Sequence, residues 1–422
     1  MRVPRVRLAL PAALLVAPAA CLPLTPRTDP PVAPTAAGGD AREAVASVNA
    51  FGADLYARLR AADGNLIVSP YSVGTALAMT ALGARDNTRE EMRTVLHLPA
   101  GDTFGKAYGA MTESVLRSPP GAKHRPELSV ANSLWLQKGH PFKKEYLARA
   151  RDDFRASLFE TDFADAGTAS RRINRWVEKE TRDRIKDLLS ADALGGDTQM
   201  VLANAIYFKA HWAAPFKKEN TRPEDFTLTG GQKVKAPTMY EQSNFSLLES
   251  DSLQVLRLPY DGLATSMYVL LPRTAAGLAA LEQQLTAENL TKWAAGGAGV
   301  EEVRVWLPRF KFTVPTELAG TLEKMGMADA FNRSRSNFTG MTDHPQGLVI
   351  NRVTHKAFVE LDEVGTEAAA ATAVVMGLAM AAPPLPKPPP KEFRADHPFL
   401  FVIKHEPTGA VLFMGRVLDP TK

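Results

Sequence analysis

The sequence predicts an α+β fold in which helices and strands are kept largely apart along the chain. Apolar residues recur at helical spacing mainly in the first part, while runs of β-branched and aromatic residues bounded by Pro, Gly or Asp dominate the second. The chain closes on "HEPTGAVLF", a Pro-Thr-Gly turn between two apolar runs that reads as a hairpin. No fixed period of self-similarity is present, and 422 residues with 45% hydrophobic composition can bury a large core as one unit.

Taken in order, "REAVASVNAFGADLYARLR" predicts a helix with Val45, Val48, Phe51, Leu55 and Leu59 along one stripe. "SVGTALAMTALGA" predicts a second, and "RRINRWVEKETRDRIKDLL" a third, with Ile173, Trp176, Val177 and Ile185 on its apolar face. Strands are expected at "LSVANSLWLQ", "QMVLANAIYFKAHW", "LQVLRLPY", "TSMYVLLP", "EVRVWLPRFKF" and "AFVELDEVG", then at "FLFVIKH" and "AVLFMGRV".

Residues 1–20 read as an export signal, with three arginines in Met1 to Arg7 followed by the apolar "LALPAALLVAPAA", too short and proline-broken to span a membrane. Cys21, the only cysteine, follows directly. It resembles the lipidated cysteine of bacterial lipoproteins, although Pro18 stands where that signal usually carries Leu, so lipidation and ordinary cleavage both stay open. Residues 21–40 then form a Pro-rich tether, and 41–422 the folded domain. The expected location is outside the cell or on its envelope, with membrane attachment through a lipidated Cys21 as one form. Of the net charge of +4, four arginines against two aspartates place +2 in the first forty residues. The remainder is too weak and dispersed for a nucleic-acid partner.

Signatures of catalysis are missing: there is no GxSxG elbow, no HExxH and no Cys-His cluster. Gly101 and "GK" at 105–106 have the wrong spacing for a phosphate loop, and "GGAG" at 296–299 follows a helix-like segment where a dinucleotide loop would open one. The eight histidines are scattered, so neither metal nor cofactor is expected.

What remains unexplained is "GTEAAAATAVVMGLAMAAPPLPKPPPK", residues 365–391. A helix of good formers or a low-complexity linker would account for its composition. Yet "HKAFVELDEVG" before it alternates like a strand and runs straight on. Extended further, that alternation points Thr366, Ala368, Ala370, Thr372 and Val374 to one face, all small residues that could slide between existing strands.

This segment resembles the hinge and reactive loop of serpins, and the resemblance covers residues 41 to 422 in family order. "NLIVSPYSVGTALAMTALGARDNTREEM", "INRWVEKETRDRIKDLL", "LANAIYFKAHWAAPFKKENT", "LPRFKF", "MGMADAF", "NFTGM", "FRADHPFLFVIKH" and "LFMGRVLDP" complete it. The resemblance implies a five-stranded main sheet, two smaller sheets, about nine helices and an exposed reactive loop at about 363–392. It implies no enzyme, but a monomeric inhibitor of serine proteases that acts as a suicide substrate, a mechanism that extends in principle to cysteine proteases. The alternative within the family is a non-inhibitory member, serving as a binding module or simply as a protease substrate.

By the same resemblance, Glu363, Gly365, Thr366, Ala368, Ala369, Ala370 and Ala371 match an inhibitory hinge. Ser69, Ser72, Asn204 and His355 match a polar cluster at the centre of the main sheet. Trp212, Arg309 and Glu363 match the group where insertion begins, with an Arg309–Glu363 ion pair expected. Family spacing from Glu363 puts the scissile bond between Ala379 and Met380, which suits elastase-like or subtilisin-like proteases with shallow or apolar primary pockets. The long "AAPPLPKPPPKEF" beyond it departs from the family and should hold that side extended.

Overall fold

Helical periodicity at the start of the chain becomes α1 (Gly39–Leu59), which begins two residues inside the segment read as tether. Its stripe packs as expected, with Val48, Phe51 and Leu55 inaccessible to solvent. The computed structural model describes residues 39–101, 103–117, 121–124, 126–139, 142–296, 299–345, 347–366 and 389–422. The signal, Cys21 and nearly all of the tether therefore lie outside the described residues, as do Ala368–Ala371, Ala379 and Met380.

After α1 come β1 (Leu66–Val68), α2 (Pro70–Ala81), α3 (Asp86–Val95), α4 (Phe104–Leu116), β2 (Glu127–Gln137), α5 (Lys144–Phe154), β3 (Ser157–Thr161) and α6 (Ala166–Glu180). The strand-rich part follows with β4 (Met200–His211), β5 (Arg222–Thr227), β6 (Lys233–Glu249), β7 (Leu253–Pro259) and β8 (Thr265–Pro272). Next are α7 (Leu278–Gln283), α8 (Ala287–Ala295), β9 (Glu301–Pro308), β10 (Phe310–Glu317) and α9 (Ala319–Met325). The chain ends with β11 (Arg352–Leu361), β12 (Gly365–Thr366), β13 (Lys391–Arg394), β14 (Phe399–His405) and β15 (Val411–Val417). The last two strands pair antiparallel as the expected hairpin.

The main sheet runs β10-β11-β12-β4-β2-β3, five long strands with the two-residue β12 wedged among them. Instead of two separate smaller sheets, the remaining strands among the described residues form one nine-stranded sheet, an eight-strand path with β5 paired beside it, because the 17-residue β6 serves both halves. Its first part pairs with β5 and β9, and Ser246–Glu249 pair with β7.

The centre of the main sheet is buried on both faces, and β4, buried along nearly all its length, shows why its sequence is nearly all apolar. Leu202, Ile206, Phe208 and Ala210 enter the large core, which extends to α1, α2 and the β14–β15 hairpin. Val201, Ala203, Ala205 and Tyr207 enter a second cluster with Ile173 and Val177 of α6. The period of two thus assigns each side chain of β4 to a layer.

Two expected elements differ. The run 171–189 is not one helix: α6 stops at Glu180, and Arg182, Asp183 and Asp187 all have left-handed backbone conformations. Thr181 turns its hydroxyl back onto the Val177 carbonyl, while Ile185 still reaches the second cluster from a non-helical segment. The run 302–312 is likewise two strands, β9 and β10, belonging to different sheets on either side of Arg309.

Candidate functional site

At the centre of the main sheet, β11 and β4 run parallel and place His355 opposite Asn204. Ser69 and Ser72 reach the same point from below, since Ser69 is the N-cap of α2 and accepts a hydrogen bond from the Ser72 amide. The Ser69 hydroxyl donates to the Leu412 carbonyl of β15 at 2.6 Å. All four side chains predicted for this cluster are buried and do meet.

Their protons can be assigned in one consistent way. The Ser69 amide donates to His355 Nε2 at 3.2 Å, so that nitrogen is an acceptor, and Nδ1–H donates to Asn204 Oδ1 at 2.5 Å. Asn204 Nδ2 donates to Ser72 Oγ at 2.7 Å and to Asn132 Oδ1, and the Ser72 hydroxyl donates to Asn132 Oδ1 at 3.1 Å. Burial pushes His355 down to about 3, which keeps the ring neutral. A second ring proton would face the Ser69 amide and leave two donors opposed. Asn132 was not among the residues picked from sequence. Its signal was a lone Asn within the apolar "LSVANSLWLQ", in direct register with Asn204 across β2 and β4.

At the upper end of the sheet the chain reverses. The sequence suggested that a strand over 355–365 continues into the alanines, but β11 ends at Leu361 and a tight turn sends β12 back antiparallel, with Thr366 opposite Leu361. The cause is Asp362, whose Oδ1 accepts from the amides of Val364 at 2.9 Å and Gly365 at 3.1 Å. β12 is also antiparallel to β4, pairing Gly365 with His211 and Thr366 with Ala210. Lower down β11 and β4 pair directly with each other, so β12 stands in the mouth of a slot between them.

Gly365 is required by close backbone approach. A Cβ there would lie 2.0 Å from the Ala210 carbonyl oxygen and 2.7 Å from the His211 Cα. Thr366 is fully buried on the core side, hydrogen-bonded at 2.7 Å to the hydroxyl of Tyr260. Tyr260 stacks on Trp212 with centroids 4.5 Å apart and 12° between planes. Trp212 Nε1–H donates to the Asp362 carbonyl at 3.0 Å, and its amide holds the Val364 carbonyl at 2.8 Å. The indole thus packs the core and fastens the turn at once.

Glu363, almost wholly buried, does pair with Arg309, but at 3.7 Å and with the arginine half exposed. Its nearer partner is the Thr221 hydroxyl at 2.7 Å, a residue that sequence reading missed. The Glu363 carbonyl accepts from the Phe216 amide at 2.8 Å. A second pair sits on the outer side of the slot: the rings of His124 and His211 are stacked at 4.2 Å, 7° from parallel. Taken together, these elements seat a chain end between two parallel strands, above a centre joined by hydrogen bonds between neutral groups.

Comparison with known proteins sets this geometry in context. Residues 46–420 match the family model described as Serpin (serine protease inhibitor). The chain is 39% identical over 389 residues to an uncharacterized serpin-like protein of Thermococcus kodakarensis, covering 90% of this chain and 87% of that one. It is 36% identical over 380 residues to a leukocyte elastase inhibitor of Equus caballus, with 88% and 97% covered. Among solved structures, the highly specific serpin Serpin48 of the insect Tenebrio molitor is similar with a TM-score of 0.79 at 30% identity, over 90% of this chain and 98% of that one.

Proposed function

The chain belongs to the serpin family, and from that premise we propose that it inhibits serine proteases as a suicide substrate. The protease serine attacks the Ala379 carbonyl, an acyl ester forms, and the new N-terminus at Met380 leaves. Before water reaches the ester, the freed loop enters the slot between β11 and β4 and carries the protease with it. The observation that carries this reading is the direction of β12, which is antiparallel to both of its neighbours and seated between them. Continued in that register, Ala368 would come opposite Phe208 and Ala370 opposite Ile206, small residues arriving at the apolar core face. The kinship with a leukocyte elastase inhibitor agrees with a target of small or apolar primary specificity, elastase-like or subtilisin-like.

The test is incubation with elastase-like, subtilisin-like, chymotrypsin-like, trypsin-like and papain-like proteases. A one-to-one complex that survives denaturant is expected, with a released fragment beginning at Met380. Clean loop cleavage with no complex on any of them would replace this reading with a non-inhibitory binding module or substrate. We propose further that the mature chain is exported and held at the membrane by a lipidated Cys21. The parent should then fractionate with membranes and Cys21→Ser should not, whereas recovery of both in the soluble fraction would remove the anchor.

A further inference from the structure

We propose that His124, His211 and Asp261 form a proton-controlled clasp over the mouth of the slot, closed at neutral pH and released by acid. This rests on the insertion reading above, because the clasp bears on the end of β4, the strand that must part from β11 to admit the loop.

His211 is the last residue of β4 and the direct ladder partner of Gly365. Its ring is stacked on His124, which comes from the segment leading into β2. Asp261, in the turn after β7, ties both histidines down. Its carboxylate accepts the His124 amide at 2.7 Å and lies 3.3 Å from His124 Nδ1, and its own amide donates to the His211 carbonyl at 2.8 Å. Three separate segments therefore converge on the residue that faces the hinge glycine.

The charges around His211 are those of His124, Lys209 on the same strand, Asp261, and Asp362 in the turn before β12. One proton on this pair is accommodated, since a charged His124 can donate Nδ1–H to Asp261. A second proton puts two cations face to face at the stacking distance, with Lys209 adding to the repulsion. His211 is held below the ordinary histidine range first by burial and then by the His124 charge, while the two aspartates act the other way. Once the rings separate, His211 regains the ordinary value of about 6.5. The released state consequently binds more protons below that pH, and release gains up to about tenfold per pH unit for each extra proton. His355 and His405 are also held low, at about 3 and about 4, so acid acts elsewhere in the molecule too. Only changes confined to 124 and 211 isolate the clasp.

The experiment is amide hydrogen exchange on the full chain from pH 7.5 to 5.5, corrected for the chemical rate and run without protease. It follows Trp212 and Phe216, whose amides hold the Val364 and Glu363 carbonyls. In the parent, both should lose protection below pH 6.5 by up to about tenfold per unit. In His124→Gln and His211→Gln that slope should flatten. His211→Phe keeps a stackable ring that takes no charge and should stay protected throughout, which separates lost charge from a loosened stack. Equal slopes in the parent and all three variants, or no slope in the parent, would overturn the clasp. Because no protease is present, the two proposals fail separately: pH-dependent exchange with no trapping removes only the inhibitory reading, and trapping with pH-flat exchange removes only the clasp.

Discussion

At the centre of the main sheet, Ser69, Ser72, Asn132, Asn204 and His355 are neutral and share short hydrogen bonds with no ion among them. About eight residues further along the same strands, at Trp212 and Glu363, the upper end is organised by a buried carboxylate, a half-exposed arginine and an indole–phenol stack. Neutral groups that each donate and accept can change partners without stranding a charge, so the centre can open at low cost while remaining well ordered. The upper end anchors one specific turn, and its groups leave a buried carboxylate exposed to loss if they let go. The difference separates two tasks: a centre that lets strands part, and an end that decides when and where parting begins.

The sharpest way to break this division is at Thr366, the core-facing residue of β12. Thr366→Arg would require an unpaired guanidinium in the place of a hydroxyl bonded to Tyr260, at a cost of several kcal/mol. We expect the variant to be cut by a target protease and released without a stable complex. Glu367→Arg, one residue later on the opposite face of the alternation, should retain most trapping. Equal behaviour of the two in a denaturing-gel assay would end the inserting-strand account.

The centre should show the second largest effect, and it should depend on pH. His355 is pushed down to about 3 when folded, against about 6.5 in an unfolded chain. The unfolded chain therefore binds the extra proton. The contribution of a neutral His355 is complete above about 6.5 and is lost progressively as the pH falls towards 3. Urea unfolding should lose up to about 1.4 kcal/mol per pH unit from this ring alone as the pH falls from about 6.5 to 5. His355→Asn, lower in stability at pH 7, should have the shallower profile, and an unchanged slope would assign the acid sensitivity to other groups.

A smaller effect links the two regions. Six residues beyond Thr366 in the register of β12, Thr372 would stand opposite both Asn204 and His355. Its hydroxyl would then replace partners that the cluster gives up on parting. Thr372→Val, nearly isosteric, should leave the native protein's unfolding free energy in urea unchanged and lower that of the loop-cleaved form by about 1–3 kcal/mol. A loss in the native form alone would reverse the assignment.

Most of the framework could be read from the sequence because it depends on local pattern. The stripe of α1, the apolar run of β4 and the final hairpin each carry their own periodicity, and each is found in place. What could not be read depends on groups distant in the chain. Thr221 meets Glu363 across 142 positions, and no local pattern marks it. The turn at 362–365 was hidden by an alternation that reads through it, since Asp362 acts through backbone amides and not through hydrophobic spacing. Asn132 was the one accessible omission, a polar residue in a strand otherwise built to be buried.

The smallest expected effect sharpens the comparison most finely, because it concerns which partner actually secures Glu363. From sequence, Arg309 was the natural choice, and the two do approach. But Arg309 is half exposed and 3.7 Å away, the geometry of a surface pair whose contribution is about 0–1 kcal/mol and fades with salt. Thr221 sits at 2.7 Å from a carboxylate that water hardly reaches, and a hydrogen bond to a charged group in such a place contributes about 1.5–3 kcal/mol. Thr221→Val should accordingly destabilise the native fold more than Arg309→Met, by a margin on the order of 1 kcal/mol in urea unfolding. The Arg309 effect should shrink between low and high salt, while the Thr221 effect should not. If Arg309→Met proves the costlier change at both salt concentrations, the upper end is held by its ion pair, and the contrast with the neutral centre becomes larger than the distances imply.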